Sequence, residues 1–514
     1  MVPTSPYWTA DKPAGLSTHS PDGRREGFVE YLARQTGQKL RICHRLDKET
    51  SGAIVFARTF DAVRELAELF AAQQVRKIYW MVTDRDPALG DKIEIVTDIE
   101  KRGGAWISSA QCAGGNATSR FELRHKTDRY ALWRVRPTTG KPHQIRLHAQ
   151  QLGMPILGDA DHGGTTFPRT MLHAGEVRFS SASAGEIVHK SPAPPFFDDL
   201  QLLDDGELVT WLAALDRRRR LFGIVEQTTL RLVHADGGNM RCDLFGPVCW
   251  FYWYRDRAPR QEDLDRLATF ADAANVRHWK VQVMNDRGAD PQQRRHYGSG
   301  GLETWTASEH GLYYLFKAEQ GLSPGLFLDQ RQNRLWVQRN AKDKKVLNLF
   351  CYTAGFSLCA ASGGARQVVS VDTSKATLDW ARENFALNQL DGEHLEFWAS
   401  DVRYFLRGCI KRQRLFDLVI CDPPSFSRHK NGLFKIDRDL PELVLQILAV
   451  LEPGGTLLLC TNYEKWDFAQ FEKAVMQVID DKDATRSSAP LPDWDFELPG
   501  QEPLMKALLL QKTG

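Results

Sequence analysis

A chain of 514 residues is too long for one hydrophobic core, and at roughly 100–200 residues per domain it should hold about three. An apolar fraction of 42% and a charged fraction of 26% are those of a globular protein, with no apolar run of bilayer length and no basic-then-apolar leader, so the cytoplasm is the expected location and no membrane is involved. The net charge of +2 excludes a generally basic nucleic-acid binder and leaves only local basic surfaces for that role.

Up to about residue 205, short β-rich segments mix with helices. Residues 28–35 and 60–73 have helical spacing, and residues 53–57 and 78–82 read as strands. Ser191-Pro192-Ala193-Pro194-Pro195 is a stop signal, and a short helix at 208–215 then leads into Arg217 to Arg220. A β-rich stretch follows, with strands at 230–233, 248–254 and 278–283, a helix at 262–273 and a polar loop at 286–301. From near Leu322 apolar strands (346–350, 367–371, 394–398, 415–420, 456–460) alternate with helical patterns (374–388, 440–451), which predicts a parallel sheet covered on both faces. The expected domains are 1–210, a basic linker at 211–227, a small domain at 228–320 and a third domain at 321–514. Arg217 to Arg220, His429-Lys430 with Lys435, and Lys342-Lys344-Lys345 are either RNA-facing surfaces or solvated faces. Nine cysteines without CxxC pairs or Cys/His spacing read as free thiols, with no metal site expected.

Asp47 stands in a turn just before the strand at 53–57. A lone aspartate there usually caps the turn. Four separated segments point elsewhere: Asp11-Lys12-Pro13-Ala14-Gly15-Leu16, His44 to Phe56, Lys77-Ile78-Tyr79, and Gly140 to His148 with Pro155-Ile156-Leu157-Gly158-Asp159. In this order they resemble the RluA-type pseudouridine synthases over nearly all of residues 5–180. The resemblance implies an α+β pseudouridine synthase fold that uses no cofactor. It assigns Asp47 to the ribose, as nucleophile or base. It makes Arg146 the cation that keeps a part-buried Asp47 charged. Tyr79 lies against the uracil ring, and Arg45 fills the space that a flipped nucleotide vacates. One departure is clear. Where the family has Gly-Arg-Thr/Ser-His-Gln, this chain has Gly140-Lys141-Pro142-His143-Gln144. Lysine lacks the guanidinium fork and proline lacks an amide hydrogen, which puts RNA contact at that turn in question.

Downstream, the strand ending at Phe350 runs into Cys351-Tyr352-Thr353-Ala354-Gly355, a tight turn that opens a helix whose N-terminal amides suit a carboxylate. Asp372 ends the next strand, roughly 20 residues beyond the glycine, as an acid meeting ribose hydroxyls would. Asp401 and Asp422-Pro423-Pro424 end the following two strands, and ligands of such sheets sit at those ends. Together with Gly325-Leu326-Phe327-Leu328-Asp329-Gln330-Arg331, these features resemble the RlmI/RlmK-type ribosomal RNA methyltransferases over about residues 228–514. That resemblance implies a small β-rich α+β accessory domain and a Rossmann-like α/β class I methyltransferase that uses S-adenosylmethionine. Phe350, Tyr352, Gly355, Asp372, Asp401 and Asp422 would surround the cofactor, with Pro423, Pro424, Phe426 and Asn462 on the side of the base. Methylation at pyrimidine carbon 5 needs a cysteine nucleophile. The expected slot falls on Asn462, while Cys460 lies inside the strand and Cys421 precedes the Asp-Pro-Pro motif. The expectation is therefore guanine ring nitrogen 7, which needs only positioning beside the sulfonium, rather than 5-methylcytosine.

The sequence thus predicts a bifunctional RNA-modifying enzyme acting on ribosomal RNA, with 23S rRNA or pre-ribosomal particles as the expected partner. Transfer RNA stays open for the synthase half. Two other readings stand beside it: a synthase half that only docks RNA, or an assembly factor that binds RNA without turnover.

Overall fold

The computed structural model describes residues 5–21, 26–110, 112, 114–223, 228–284, 297–318, 323–429, 432–479, 483–496 and 503–513. Most of the expected loop at 286–301, together with Leu322 and Lys430, lies outside these residues. The chain divides into two compact units, Met1–Gly223 and Ile224–Gly514.

The first unit is built on a nine-stranded sheet. The Ser51–Ala57 strand is buried along its whole length, as expected of an apolar run covered on both faces. It pairs antiparallel with Tyr7–Lys12 and parallel with Leu172–Ser181 through His173↔Ser51 and Ala174↔Gly52. At that crossing Gly52 has φ +117°, and a Cβ there would lie 2.2 Å from the Ala174 carbonyl oxygen, so only glycine fits. Arg76–Thr83, Ala131–Pro137, Ala117–Lys126 and Lys92–Thr97 extend the sheet antiparallel. The Phe60–Ala71 helix starts where Thr59 accepts from the Ala62 amide. It packs Ala62 and Leu66 against Val55, Ala57, Val177 and Phe179.

The basic linker expected at 211–227 is different in the structure. Residues 211–222 form the body of one helix, Gly206–Phe222, capped by Asp205. Trp211, Leu212 and Leu215 are buried, and so is Arg218. Arg220 binds Asp216 at 2.9 Å, the Ser191 hydroxyl at 2.8 Å and the Pro192 carbonyl at 2.7 Å. Two of the four arginines are therefore interior groups of this unit. A run of like charge does not reveal that, because Ser191 and Pro192, which cover Arg220, are distant in sequence.

The second unit holds a five-stranded sheet in the order Thr229–Val233, Met240–Phe245, Val248–Trp253, His278–Val283, Tyr297–Gly298. The parallel pair Val248–Trp253 and His278–Val283 is joined by the Gln261–Ala273 helix. A seven-stranded sheet follows in the order Leu395–Ala399, Gln367–Asp372, Lys345–Leu349, Phe416–Cys421, Leu451–Thr461, Lys506–Lys512, Ala484–Ser488. Its first five strands are parallel, but Lys506–Lys512 is antiparallel to both neighbours, so the sheet is mixed at one edge. One core crosses the expected boundary at 320/321. Trp250, Trp305 and Phe316 pack with Leu326, Leu358, Leu378 and Phe385. Strand order reverses between Lys345–Leu349 and Phe416–Cys421, which opens a crevice at their carboxyl ends. Among the described residues no helix is long and apolar enough to cross a membrane.

Candidate active sites

In the first unit the sequence-predicted residues Arg45, Asp47, Tyr79 and Arg146 line one cavity of about 660 Å³. The loop that presents Asp47 is fastened from behind. Gly15 donates its amide to the Lys48 carbonyl at 2.9 Å, and Thr18 its hydroxyl to Leu46 at 2.9 Å. The buried Lys12 ammonium donates to the Pro13, Leu16 and Lys48 carbonyls at 2.9, 2.7 and 3.0 Å. Burial pulls Lys12 down to about 7, opposed by Glu49 and Asp47, and three carbonyl acceptors use all three of its protons. His44, half-buried, accepts the Val55 amide on Nε2 at 3.0 Å, and desolvation of its ring lowers it to about 4, so it stands as a neutral acceptor.

Arg146, on the Gln144–Gln151 helix, is the cation expected beside Asp47. Its bidentate partner is Asp159. Nε donates to Oδ2 at 2.7 Å and Nη2 to Oδ1 at 2.6 Å, while Nη1 lies 3.6 Å from Asp47 Oδ2. Burial alone would raise the Asp159 carboxyl, but hydrogen bonds from Arg146 and His162 hold it at about 2. The fork thus spends one edge on a fixed anion and aims its remaining nitrogen at the cavity. Tyr79 sits on the Arg76–Thr83 strand. Burial first, and then the Asp47 charge, push its phenol well above the ordinary value, so it remains a neutral ring. Lys77, two residues before it, donates to the Thr139 carbonyl at 2.8 Å. The sequence reading missed Asp159 as the group that holds Arg146; its one signal was the Gly158-Asp159 pair closing the last motif.

Lys141 and Pro142 both line the cavity. The turn is closed by the Lys141 amide donating to Gln144 Oε1 at 3.0 Å and the Gln144 amide donating to the Lys141 carbonyl at 3.2 Å. Neither bond uses position 142, so a proline there costs the turn nothing.

In the second unit, the turn after Lys345–Leu349 places Phe350, Tyr352 and Ala354 at φ +54°, +50° and +63°. Non-glycine residues rarely adopt this conformation, and strain of this kind concentrates at binding sites. The turn is over-determined. The Cys351 amide bonds the Val371 carbonyl at 3.0 Å, Thr353 Oγ1 the Gly325 carbonyl at 2.6 Å and the Tyr352 hydroxyl the Ser323 carbonyl at 2.9 Å. The Gly355–Ser362 helix opens there. Its first helical bond runs from the Leu358 amide to Ala354, which leaves the first-turn amides without intrahelical acceptors. Asp372 accepts the Tyr352 amide on Oδ2 at 3.0 Å and the Ser374 amide on Oδ1 at 2.9 Å. Asp401 caps the Val402–Lys411 helix through the Tyr404 amide at 3.1 Å.

Asp422 follows the Phe416–Cys421 strand. Burial and the neighbouring Asp329 carboxylate push it up to about 7, and Gln330 Nε2 donates to its Oδ2 at 3.0 Å. Asn333 in turn donates to Gln330 Oε1 at 2.7 Å. Arg331 pairs with Asp495 at 2.8 Å, and Arg334 with Glu309 at 2.6 and 2.9 Å. Within Asp329-Gln330-Arg331, read in the sequence only as a family signature, Gln330 is thus the residue that holds Asp422. Pro423 is buried, Pro424 exposed, and Phe426 is 49% exposed. Asn462 follows the Leu451–Thr461 strand with its side chain exposed. Cys421 and Cys460 are fully buried in strands, and burial pushes both thiols well above the ordinary range.

Residues 6–151 match the family model of RNA pseudouridylate synthases, and residues 257–474 that of S-adenosylmethionine-dependent methyltransferases. The ribosomal RNA large subunit methyltransferase K/L of Pseudomonas fluorescens is 37% identical over 314 residues, which is 57% of this chain and 40% of that protein. Ribosomal RNA large subunit methyltransferase I of Salmonella arizonae is 44% identical over 150 residues, 29% of this chain and 37% of that protein. The chain therefore spans about two fifths of the length of these curated relatives. A Streptococcus mutans structure assigned as a SAM-dependent methyltransferase aligns with TM-score 0.53 at 24% identity, covering 66% of this chain and 88% of that one, which shows the fold. The chain carries an RNA pseudouridylate synthase domain followed by an S-adenosylmethionine-dependent methyltransferase domain.

Proposed function

We propose that this protein is a bifunctional RNA-modifying enzyme. It isomerises a uridine to pseudouridine and methylates a base, with 23S ribosomal RNA as substrate and guanine ring nitrogen 7 as acceptor. The observation that carries it is that Asp47, Tyr79 and Arg146 line one cavity, while Asp372, Asp401 and Asp422 end or follow strands of one sheet on either side of a strained turn at the switch point.

In the first site Asp47 acts on the ribose, Tyr79 offers a neutral face for the detached uracil, and Arg146 supplies the facing cation. Arg45 enters the vacated stack. In the second, the residues fit S-adenosylmethionine. First-turn amides of the Gly355–Ser362 helix would hold its carboxylate, Asp372 its ribose and Asp401 its adenine edge, with Phe350 and Tyr352 shaping the turn. When bound, that cofactor supplies an electrophilic methyl group. Asp422, Pro423 and Pro424 would set the edge and height of the base, Phe426 would stack on it, and Asn462 would border it. Guanine nitrogen 7 needs no covalent activation, which suits a site whose nearby thiols are buried and protonated. Residues 228–320 act as the substrate-facing part of the methyltransferase, and residues 321–514 carry the cofactor site.

Nucleoside mass spectrometry of ribosomal and transfer RNA, with and without the gene, tests this. The expected result is loss of one pseudouridine and one 7-methylguanosine from ribosomal RNA. Loss of 5-methylcytidine would overturn the choice of base, and loss of the methyl mark alone would make the first unit a docking module.

A further inference from the structure

A second cavity adjoins the Asp47 site and has no part in the reading above. Its volume is about 670 Å³. One wall is the Gln144–Gln151 helix. The other is a two-stranded hairpin, Ile99–Arg102 with Ala105–Ser108, which among the described residues joins no larger sheet. The hairpin is anchored at its base. Trp106 packs on Ile99, Ala117 and Leu147, and the Ser108 hydroxyl lies 2.8 Å from Thr97 Oγ1 and 2.9 Å from Gln151 Oε1. Gly103 and Gly104, at φ +57° and +88°, make the tight turn at its tip.

His143 lines both cavities, so the two meet at one side chain. Its Nδ1 lies 3.4 Å from His162 Nε2, and His162 Nδ1 lies 3.0 Å from Asp159 Oδ1. Asp161, in the same wall, reaches Arg146 Nη2 at 3.4 Å. The second cavity thus borders the charges that hold Arg146. Among the described residues it is lined by no lysine or arginine and by one carboxylate, which disfavours a phosphate inside it. An aromatic ring with amide and hydroxyl side chains is what a nucleobase needs instead: a face to stack on and donors and acceptors at its edge.

We propose that this cavity binds the base of an unpaired nucleotide beside the uridine that Asp47 isomerises, stacked on Trp106 and hydrogen-bonded by Gln150. The proposal rests on the pseudouridine synthase reading of the first site. It makes the hairpin a specificity element, because a neighbour locked in a duplex cannot enter.

The test uses the full chain and an RNA fragment spanning the mapped pseudouridine, with single abasic nucleotides placed on either side of the target. With the wild type, one abasic position should raise KM about tenfold, the loss expected for one base–aromatic stack, with kcat changed by less than about twofold. Trp106→Leu keeps the apolar packing on Leu147 but loses the stacking face. It should show the same rise on intact RNA and no further rise on the abasic RNA. Gln150→Ala, which leaves the hairpin packing untouched, should raise KM in the same direction by less. Losses that add at every position, or no abasic effect in the wild type, would overturn the subsite. The underlying reading fails separately, if Asp47→Ala still forms pseudouridine.

Discussion

Asp47 and Asp422 are both carboxylates in clefts, and the protein surrounds them in opposite ways. Asp47, about a third exposed, faces an arginine whose far edge is locked onto a second, fully buried acid. Asp422 stands beside another acid, Asp329, and its hydrogen-bond donor is the neutral amide of Gln330. A paired cation suits a carboxylate that must act as an anion. Burial, and then crowding by like charge, instead places a carboxyl where it can hold or release a proton near neutrality. The supports differ in the same sense. In the first site the facing cation is aimed by an ion pair to a second acid, and in the second a neutral amide holds the carboxyl beside a strained turn.

The contrast is broken most directly at Asp47. Asp47→Asn keeps the shape and removes the anion, and should lower pseudouridine formation about a thousandfold or more while methyl transfer continues. Tritium release from uridine-labelled RNA beside methyl incorporation reads both at once. The counterpart, Asp422→Asn, should cost methyl transfer about a hundredfold, the scale for a lost electrostatic group in a site. Its stability effect has the opposite sign from the usual loss of a charge. The folded carboxyl sits near 7, above its unfolded value. The native state therefore binds the extra proton between about 4 and 7, and wild-type stability falls as pH rises through that window. Asparagine has no such proton to lose, so at pH 8 the variant should melt at or above the wild-type temperature. A clearly lower Tm there would show that Asp422 is held by a cation after all.

The two sites were legible in the sequence to different depths. Asp47, Tyr79, Arg45 and Arg146 are separated by as many as 101 positions, yet each motif fixed its own local geometry, and the cavity brings them together. Who pairs with Arg146 was not legible. Asp159 lies on the turn beyond its helix, and nothing in local spacing says which of two acids the fork will grip. The parallel strands and the acids at their carboxyl ends followed from strand–helix alternation, while the strand order that opens a crevice there did not. The left-handed turn at 350–354 did not, since Phe350, Tyr352 and Ala354 are not residues that advertise positive φ. The helix at Gly206–Phe222 extends past the expected 208–215 because its last turns are arginines, and the covering of Arg220 by Ser191 and Pro192 is a tertiary fact. The final antiparallel strands were not singled out, because Lys506–Lys512 is a short apolar run with no period to mark its direction.

Asp159→Ala sharpens the comparison by a smaller step. It leaves Arg146 buried without its bidentate partner, and breaking a buried pair costs about 3–5 kcal/mol. The wild-type carboxyl is held at about 2, below its unfolded value, so its contribution is full above about 4 and fades as pH falls through about 2. Thermal unfolding of the full chain from pH 5 to 2 should show the gap between wild type and variant closing toward the acid end. Pseudouridine formation should fall along with it, since Nη1 is no longer aimed at Asp47. A variant with normal activity would make Asp159 a structural group only.

The smallest effect is expected at the turn where this chain departs from its family. Pro142 occupies a position whose amide the turn does not use, so Pro142→Thr should leave stability within about 0.5 kcal/mol, as for a surface change. Lys141→Arg restores a planar fork at the rim of the cavity, and a fork grips a phosphate by two bonds where an ammonium acts as a point charge. The expected gain is a few-fold lower KM for RNA with kcat unchanged, largest at low salt, because the contact is exposed and screened. If Lys141→Arg lowers KM equally at high and low salt, the side chain reads something other than the backbone charge. If it raises KM, lysine is the better fit to this RNA, and the departure marks a substrate that the family pattern does not describe.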